Sequence, residues 1–402
     1  MIIKRLHIIF IVSLFVVSLA AQQKVSTFYD VEKKQPKEVY CVVDYKKLGK
    51  VKHGFYTIWY PSNKLWQEGF YDYDKLDGRW VDYYETGIVK QELGYKKGLL
   101  DGKLKYYYPD GKLMQNADFK NDKLDGTVIN YYEDGKIQEI GTYTEGLLNG
   151  DFKAYYEDGR PRIMRSYKMG LEDGFSVTYF ENGNVRDRAI MKDGFCEGQF
   201  INYYKEFSNG TVNKICLYEN GRLNGKLSWY YPSGNLKYES MYKNDSIIGV
   251  VKEYYDSTVL VIRQTGFYNG NKKNGRWKSY YPNGNVYTFG HFVDDAFDGE
   301  WQVNYPDGKL KQKGDYANGK ATGEWTFYYE TGEIKDKGNY SNDFKTGIWA
   351  TYYKDGKLMS EITFENGQRN GVAKVYNSNA KLIETSYYKN GEVVPKNKKK
   401  RK

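Results

Sequence analysis

Two short segments carry residue types that could bind a phosphate or a metal ion. The segment GDYANGKA, Gly314–Ala321, is close to the phosphate-binding pattern G-x-x-x-x-G-K-[ST]. Ala321 stands where that pattern needs a hydroxyl group for the metal, and no helix is predicted behind it, so phosphate binding is disfavoured. The segment DYDKLDG, Asp72–Gly78, has carboxylates at positions 1, 3 and 6, whereas a calcium loop places them at 1, 3 and 5. Both segments are interpreted as turns, and no metal or cofactor site is predicted.

Residues for acid–base or nucleophilic catalysis are scarce. The three histidines are His7, His53 and His291, and no serine or cysteine nucleophile is identifiable beside the last two. Carboxylates are numerous, but they cluster at turn positions, where Asp and Asn satisfy the backbone geometry. A glycosidase needs two carboxylates at a fixed separation in a cleft, and no cleft is expected here. The sequence therefore predicts a protein that is not an enzyme.

The three cysteines are Cys41, Cys196 and Cys216, and their spacing matches no zinc pattern. Cys196 occupies a position where other repeats have leucine, which favours a small buried apolar side chain. A disulfide between Cys196 and Cys216, across neighbouring repeats, is the alternative in an oxidising compartment. The sequence leaves both interpretations open.

A phrase of ten residues recurs along most of the chain. GRWVDYYETG, at Gly78–Gly87, returns as GRWKSYYPNG at Gly275–Gly284 and as GEWTFYYETG at Gly323–Gly332. We call its first glycine the anchoring glycine. Eleven of the thirteen intervals between anchoring glycines are 24 residues, which is the signature of a repeat architecture. The anchoring glycines are at positions 54, 78, 102, 126, 150, 174, 198, 225, 249, 275, 299, 323, 347 and 371.

Turn residues divide each repeat into two strands. Asp-Gly and Asn-Gly pairs, which end at Gly111 and Gly284, favour hairpin turns because glycine tolerates positive φ. A second turn is predicted at the anchoring glycine, as in KLDG at Gly126 and LLNG at Gly150. Each repeat is then one β-hairpin with strands of about six residues. We therefore expect an all-β fold, an elongated single-layer antiparallel β-meander of about 14 stacked hairpins, solenoid-like because each hairpin contacts only its neighbours.

Aromatic side chains recur at fixed places in the repeat. A Trp or Phe often follows the anchoring glycine by two residues, and a pair of aromatic residues follows it, as in Tyr83-Tyr84. Trp80 and Tyr84 are four residues apart, so one face of the strand is predicted to carry both. Equivalent rings should form solvent-facing ladders, which we predict to be the interaction surface because such residues are enriched at protein interfaces. The candidate interaction residues are Trp80, Tyr84, Tyr132, Tyr156, Trp277, Tyr281, Trp301, Trp325, Tyr329, Trp349 and Tyr353.

The ends of the chain differ in composition from the repeats. Residues 1–20 have a basic start, an apolar run and small residues at Ser18 and Ala20, which is typical of a cleaved secretory signal peptide. An exported protein, located in the periplasm, outer envelope or extracellular space, is therefore predicted. Residues 21–50 are interpreted as an N-terminal cap, residues 51–392 as the repeat array and residues 393–402 as a basic disordered tail.

The net charge of +10 is concentrated at the two ends of the chain. Lys4, Arg5 and the six basic residues of the tail carry eight of these charges, which leaves about +2 for everything between. A nearly neutral repeat array lacks the positive footprint of a phosphate binder, so no nucleic-acid partner is predicted. The tail could bind an anionic membrane surface or an acidic glycan.

The repeats resemble a known family. YDYDKLDGRW at Tyr71–Trp80 and YKKGLLDGKL at Tyr95–Leu104 are similar to the MORN repeat, and more closely to its 24-residue bacterial variant. The commoner MORN form has a His-Gly pair before its turn, which only His53-Gly54 keeps here. The resemblance covers roughly residues 50–392 and implies a protein-interaction or membrane-associated scaffold. Members of the variant family are often labelled as antitoxin components of toxin–antitoxin systems, a role from which export would separate this chain.

Two functions remain open from the sequence. The first is an exported, non-enzymatic scaffold that binds one or more proteins through its aromatic sheet face. The second is a carbohydrate or cell-wall binding array, since exposed aromatic rings stack on sugars. Choline-binding wall repeats place a Gly-Trp pair in the second half of their unit, whereas this chain has an aliphatic residue and then a ring, as in Leu113 and Phe119. That difference favours the scaffold, while the oligomeric state stays undetermined.

Overall fold

The computed structural model describes residues 22–45, 48–207 and 210–395. The predicted signal peptide and all but three residues of the predicted basic tail lie outside these ranges. The chain divides into two compact units, Met1–Asp173 and Gly174–Lys402. Among the described residues, no helix is long and apolar enough to cross a membrane.

The strands of the first unit follow one another along the chain. They are β1 (Gln23–Phe28), β2 (Pro36–Asp44), β3 (Lys50–Trp59), β4 (Leu65–Asp72), β5 (Lys75–Leu76), β6 (Gly78–Tyr83), β7 (Val89–Lys96), β8 (Leu99–Tyr107), β9 (Leu113–Lys120), β10 (Lys123–Tyr131), β11 (Ile137–Thr144), β12 (Leu147–Tyr155) and β13 (Pro161–Lys168). Successive strands pair antiparallel from β1 to β13, and β5 and β6 are two pieces of one strand that both pair with β4. The predicted N-terminal cap therefore contains two strands that extend the same meander.

The second unit repeats this arrangement from β14, which starts three residues before the unit boundary. Its strands are β14 (Leu171–Tyr179), β15 (Val185–Lys192), β16 (Phe195–Cys196), β17 (Gly198–Tyr203), β18 (Val212–Glu219), β19 (Arg222–Tyr230), β20 (Leu236–Lys243), β21 (Ser246–Tyr254), β22 (Ile262–Asn269), β23 (Lys272–Tyr280), β24 (Val286–Val293), β25 (Ala296–Asn304), β26 (Leu310–Ala317), β27 (Lys320–Tyr328), β28 (Ile334–Ser341), β29 (Phe344–Tyr352), β30 (Leu358–Glu365), β31 (Gln368–Tyr376), β32 (Leu382–Lys389) and β33 (Glu392–Val393). Successive strands again pair antiparallel. The predicted fold class, an all-β antiparallel meander of hairpin repeats, is confirmed.

Each repeat is one hairpin, but its strands are longer than predicted. A typical repeat has a nine-residue strand such as β10, a five-residue turn, an eight-residue strand such as β11 and a two-residue turn. In the longer turn, the amide of Gly135 donates to the Tyr132 carbonyl at 2.8 Å. In that turn only the glycine, at φ 88°, has a positive φ, which is the geometry of a turn followed by a glycine bulge.

The prediction for the second turn is wrong. The chain reverses in the two residues that directly follow the second strand of a hairpin. Asn121 and Asp122 form such a turn, and both have positive φ. The anchoring glycine lies inside the following strand: Gly126, at φ 132°, is within β10, and the register shifts between Leu124 and Val128. It is therefore a bulge glycine, and it appears at regular intervals because a bulge residue needs positive φ as much as a turn residue does.

The turn of the first and of the last complete hairpin lacks the usual glycine. Asn63 and Ala380 take that place, and both adopt the left-handed conformation, at φ 63° and 59°. Asn tolerates this conformation better than Ala does, because its side chain hydrogen-bonds locally. The backbone of these two hairpins thus conforms to the repeat although the residue type does not.

Candidate interaction surfaces

The five candidate tryptophans lie on one face of the sheet, which we call the tryptophan face. Each stands eleven residues after a glycine of the preceding strand, as Trp325 does after Gly314. The indole ring lies directly over that glycine, so that any side chain added at Gly314 would overlap the ring of Trp325. The same arrangement joins Gly69 to Trp80, Gly266 to Trp277, Gly290 to Trp301 and Gly338 to Trp349.

These rings are also enclosed by aromatic neighbours. Tyr316, on the strand before Trp325, packs its ring edge against the indole with centroids 5.2 Å apart, and Tyr340 does the same to Trp349 at 5.0 Å. The indole N–H of Trp325 donates to the Asp315 carbonyl at 3.2 Å. As a result only 3% of Trp325 is exposed.

The prediction that the tryptophan ladder faces solvent is therefore wrong. Trp80, Trp277, Trp325 and Trp349 are buried, and Trp301 is half-buried. The physical reason is the glycine on the neighbouring strand, which leaves a gap that the large ring fills. The signal was present in the sequence as a glycine eleven residues before each of these tryptophans. These residues form the core of the hairpin stack.

The candidate tyrosines join successive repeats. Each begins the longer turn of its hairpin, and in five of the six the hydroxyl donates to the carbonyl 23 residues later, at the end of a strand of the next hairpin. These bonds run from Tyr84 to Tyr107 (2.9 Å), Tyr132 to Tyr155 (2.8 Å), Tyr281 to Asn304 (2.9 Å), Tyr329 to Tyr352 (2.9 Å) and Tyr353 to Tyr376 (2.9 Å). Tyr156 begins the equivalent turn, and its amide donates to the Arg160 carbonyl. The shared position explains the recurrence of tyrosine, since only a long side chain with a terminal donor can reach the next repeat.

A second row of residues on the tryptophan face is polar in most repeats. Its members bond across the strands: Gln115 donates to Asn130 at 2.8 Å, and Asn130 donates to Glu139 at 2.6 Å. Further along, Asn202 donates to Asp187 at 2.7 Å. We call this line of side chains the polar row. It satisfies half-buried polar groups within the sheet.

The other face of the sheet, which we call the opposite face, carries the residue after each anchoring glycine together with its partner across the strand pair. In several repeats these positions are charged, as in Lys103 and Asp118, which form an ion pair at 2.9 Å. In the second unit, six of the nine strands from β14 to β22 carry an exposed apolar residue at these positions. These exposed residues, which we call the apolar stripe, are Phe175, Ile190, Leu217, Met241, Val250 and Phe267.

The first unit has a smaller exposed apolar patch on its opposite face. Phe55 and Phe70 pair across β3 and β4 with ring centroids 4.9 Å apart. They line a cavity of about 400 Å³ together with Val81, Arg79 and Asp77. Phe55 is 72% exposed, which is unusual for a phenylalanine.

The segments that could bind a phosphate or a metal are built into the sheet. Gly314 lies beneath Trp325, and the amide of Ala321 donates to Asp343 at 2.7 Å, so the phosphate-loop pattern is a hairpin. Asp74 accepts the Lys52 amide at 2.7 Å in a two-residue turn. No group of three or more His, Cys, Asp or Glu residues that could hold a metal ion occurs in the described part of the chain.

The cysteines are unbonded. Cys41, Cys196 and Cys216 are all free thiols, and Cys216 is fully buried on the tryptophan face. Burial raises the pKa of both the Cys196 and the Cys216 thiol, so these groups are protonated near neutral pH. Of the two interpretations left open by the sequence, the structure has no Cys196–Cys216 disulfide, and Cys196, for which burial was predicted, is half-buried.

Comparison with known families identifies the repeat. A model of the family described as "MORN repeat variant" matches residues 76–97, 100–121, 124–145, 223–244, 273–294, 297–318, 321–342 and 345–366. The structure continues the same hairpin between these segments, in β12 to β18 and in β21 to β22. No curated protein matches the chain.

Solved structures give a much weaker likeness. A crystal structure of TcdB2-TccC3 is 12% identical over 92% of this chain and 24% of that chain, with a TM-score of 0.16. A Tc holotoxin pore of Photorhabdus luminescens that carries a TccC3 mutation is 11% identical over 92% of this chain and 22% of that chain, also with a TM-score of 0.16. The chain spans about a quarter of the length of these chains, and likeness at this level carries no argument about function.

Proposed function

Because this chain is a MORN-variant repeat protein and therefore a repeat scaffold, we propose that it is an exported, non-enzymatic scaffold that binds a protein partner through its opposite face. The observation that carries the proposal is the apolar stripe. Monomeric soluble proteins expose single apolar residues everywhere, but contiguous apolar patches mark interaction sites. Six exposed apolar side chains on consecutive hairpins, with Gln199 and Lys226 between them, are unusual on a face that elsewhere carries charged pairs.

The burial of the tryptophans supports this choice of face. Side chains that already pack against glycines and tyrosines are unable to contact a partner without unfolding the hairpin. The opposite face, in contrast, presents Phe175 with 73% of its surface exposed and Val250 with 55%. Removing these groups from water against a partner would stabilise a complex by roughly 25 cal/mol for each Å² of apolar surface buried.

Cationic and aromatic side chains lie beside the stripe. Arg188, which is exposed and lies two residues from Ile190, extends its guanidinium over the Tyr203 ring at 5.7 Å. Lys226, paired with Met241 across the strands, forms an ion pair with Glu239 at 2.9 Å. Arginine and tyrosine beside an apolar centre are the residue types enriched at protein interfaces.

The test is affinity capture of the exported protein from its own cells with mass spectrometry of the bound proteins. The stripe variant is Phe175→Thr with Val250→Thr, since threonine keeps the strand propensity and both positions are exposed. The matched control is Glu300→Gln with Asp315→Asn, a cross-strand pair in which Glu300 holds the repeat position of Phe175 and Val250. We expect a near-stoichiometric partner with the wild type and the control, and its loss with the stripe variant.

Two outcomes would contradict the proposal. Recovery of the same partner by the stripe variant would show that another surface binds it. Co-sedimentation of the wild type, but not of the stripe variant, with vesicles containing phosphatidylserine would assign the stripe to a membrane. Export is tested separately by mass spectrometry of the intact protein. Cleavage of the predicted signal peptide would give a mature chain that starts at Ala21.

A further inference from the structure

At one place in the second unit two aromatic residues of the polar row pair with each other, whereas Phe327, the other aromatic residue of the row in this unit, pairs with Gln312 and Asp336. Trp229 and Tyr238 pair directly across β19 and β20, at positions where other repeats have residues such as Gln115 and Asn130. Tyr238 in turn pairs with Glu253 on β21. Trp229 is also unlike the tryptophans of the core, since 38% of its surface is exposed. A departure of this kind from a repeated pattern needs a cause that the repeat does not supply.

The departure creates a cavity on the tryptophan face. Its volume is about 330 Å³, at the small end of the range for ligand pockets. Tyr238 is partly buried in it, and this burial raises the pKa of its hydroxyl to about 12, so the ring is neutral. The cavity is lined by Trp229, Tyr231, Lys237, Tyr238, Glu253, Tyr254 and Arg263.

An enlarged turn stands beside this cavity. The usual turn has five residues, but the turn between β21 and β22 runs from Tyr255 to Val261 and is closed by a bond from the Tyr255 amide to the Val261 carbonyl at 2.9 Å. Tyr254 and Arg263, which flank this turn in the sequence, both line the cavity. The inserted residues therefore lie next to the place where the two aromatic residues pair.

The charged groups of the cavity are mostly cationic. Arg263 is paired with Glu253, with Nη2 to Oε2 at 2.7 Å and Nε to Oε2 at 3.2 Å. Lys237 lies over the Tyr231 ring at 5.4 Å, and Lys214 lies over the Trp229 ring at 5.5 Å. Among the residues that line the cavity, Lys237 and Arg263 are cationic and Glu253 is the carboxylate, which leaves one positive charge in excess.

This combination restricts the chemistry of a ligand. A quaternary ammonium group is disfavoured, because the two cations that line the cavity, Lys237 and Arg263, would repel it. A purely apolar ligand would leave the Arg263–Glu253 pair desolvated without compensation. A pyranose ring has an apolar face for an exposed indole and hydroxyl groups for donors and acceptors at its edge. A carboxylate on that ring would use the positive excess, since charge-assisted hydrogen bonds are the strong ones.

We propose that this cavity binds a carboxylate-bearing sugar, such as a uronate unit of an acidic polysaccharide. The sugar ring stacks on Trp229, its carboxylate pairs with Lys237 and Arg263, and Glu253 accepts a hydroxyl hydrogen bond. The site is on the tryptophan face, so it is independent of the apolar stripe proposed above as the protein-binding surface.

The chain offers matched controls for each part of this site. Trp66 is an equally exposed tryptophan outside the cavity, at 43%. Lys335 is the repeat equivalent of Lys237, because it lies over the Tyr329 ring at 5.9 Å in a hairpin without the cavity. Glutamine is the natural replacement at position 229, since the polar row uses it at Gln115.

The test is calorimetric titration of the purified chain with a panel of uronate tetrasaccharides and with maltotetraose as the uncharged comparison. We expect at least one uronate tetrasaccharide to bind about tenfold more tightly than maltotetraose. Trp229→Gln should weaken binding about tenfold or more, whereas Trp66→Gln should leave it unchanged. Lys237→Gln should lower the preference for the charged sugar and its sensitivity to salt, whereas Lys335→Gln should not.

Three results would overturn the proposal. They are no binding of any uronate, equal binding of charged and uncharged sugars, and an equal effect of the Trp229 and Trp66 variants. Circular dichroism of each variant separates loss of binding from loss of fold. The stripe variant Phe175→Thr with Val250→Thr should bind sugar like the wild type, so failure here and failure of the scaffold proposal are distinguishable.

Discussion

Residues 266–349 and residues 84–128 build the same hairpin around different side chains. In the first of these regions a glycine on one strand faces a tryptophan eleven residues later, as with Gly314 and Trp325. In the second region the corresponding pairs are of intermediate size, such as Ala117 and Val128, which are paired across β9 and β10 and are both buried. The strand and turn lengths are the same in both regions, and in both the register shifts close to the anchoring glycine.

The difference shows that equivalent hairpins fill the same space in the core with different pairs of side chains. Close packing requires the side chains at the two facing positions to supply a suitable total volume. A glycine with a tryptophan supplies it in one region, and an alanine with a valine supplies it in the other. The tyrosine bond between successive turns is common to both regions, since Tyr84 and Tyr329 each donate to the next hairpin at 2.9 Å. The mutations below test the pairing of volumes and the shared bond separately.

Removing a buried ring should have the largest effect. Trp325→Ala deletes a 3% exposed indole that rests on Gly314, and we expect a loss of about 3–5 kcal/mol, as for large-to-alanine changes in other cores. Because a repeat array loses structure locally, hydrogen exchange of the amides in β26 and β27 is the suitable measurement. Trp66→Ala, at an exposed ring, should cost less than about 1 kcal/mol. Equal costs for the two would break the distinction between core and surface tryptophans.

Filling the gap beneath the ring should be the next largest effect. Gly314→Ala introduces a methyl group that overlaps Trp325, and we expect a cost of about 1–3 kcal/mol from overpacking, measured by urea denaturation with circular dichroism. Adding Trp325→Val to this variant reproduces the Ala117–Val128 pair and should cost less than the sum of the two single changes. Simple additivity would contradict the idea that the two positions share one volume.

Loss of a turn-to-turn bond should cost about the same in both regions. Tyr329→Phe and Tyr84→Phe each remove a hydroxyl that donates to a carbonyl of the next repeat, and we expect about 1 kcal/mol from each, seen as a lower urea midpoint. Tyr287→Phe, at a 42% exposed ring, is the control and should be close to neutral. A large difference between the Tyr329 and Tyr84 variants would show that the bond depends on the neighbouring core.

The smallest effect is expected where the core already uses a small side chain. Ala117→Gly removes a buried methyl group and adds freedom to the unfolded chain, which should cost roughly 0.5–1 kcal/mol. Gly314→Ala, the reverse change at the equivalent position, is also expected to destabilise the fold. The two equivalent positions would then prefer different residues in the same kind of hairpin. A gain in thermal stability for Ala117→Gly would contradict this interpretation.

Much of the fold could be predicted because the repeat occurs many times in the sequence. A fixed interval of 24 residues, paired rings and Asp-Gly or Asn-Gly turns such as Asp134-Gly135 are local signals, and their repetition removes chance matches. Prediction failed at the anchoring glycine, because a bulge and a turn make the same demand for positive φ. Gly126 satisfies that demand inside β10, and only the pairing of the strands distinguishes the two.

The candidate sites were harder to predict, since exposure depends on residues that are distant in the sequence. Trp325 and Trp229 are the same residue type in the same kind of strand, but one lies over Gly314 and the other beside a cavity. The sequence holds a glycine eleven residues before Trp325 and Tyr218 at the same distance before Trp229, but the meaning of that spacing follows only from the strand pairing. The apolar stripe was missed for a similar reason, because its members are 9 to 27 residues apart and share only a repeat position.

The sequence by itself determined that this chain is an all-β array of hairpins, since strand alternation and turn chemistry act over a few residues and recur. The tertiary structure alone decided which face became the core. A tryptophan and a glycine on neighbouring strands fill one volume, and that contact buries one face of the sheet. The opposite face is then left with Phe175 and Val250 in solvent, and the tryptophan face carries the exposed ring of Trp229, paired with the half-buried Tyr238, beside the enlarged turn between β21 and β22.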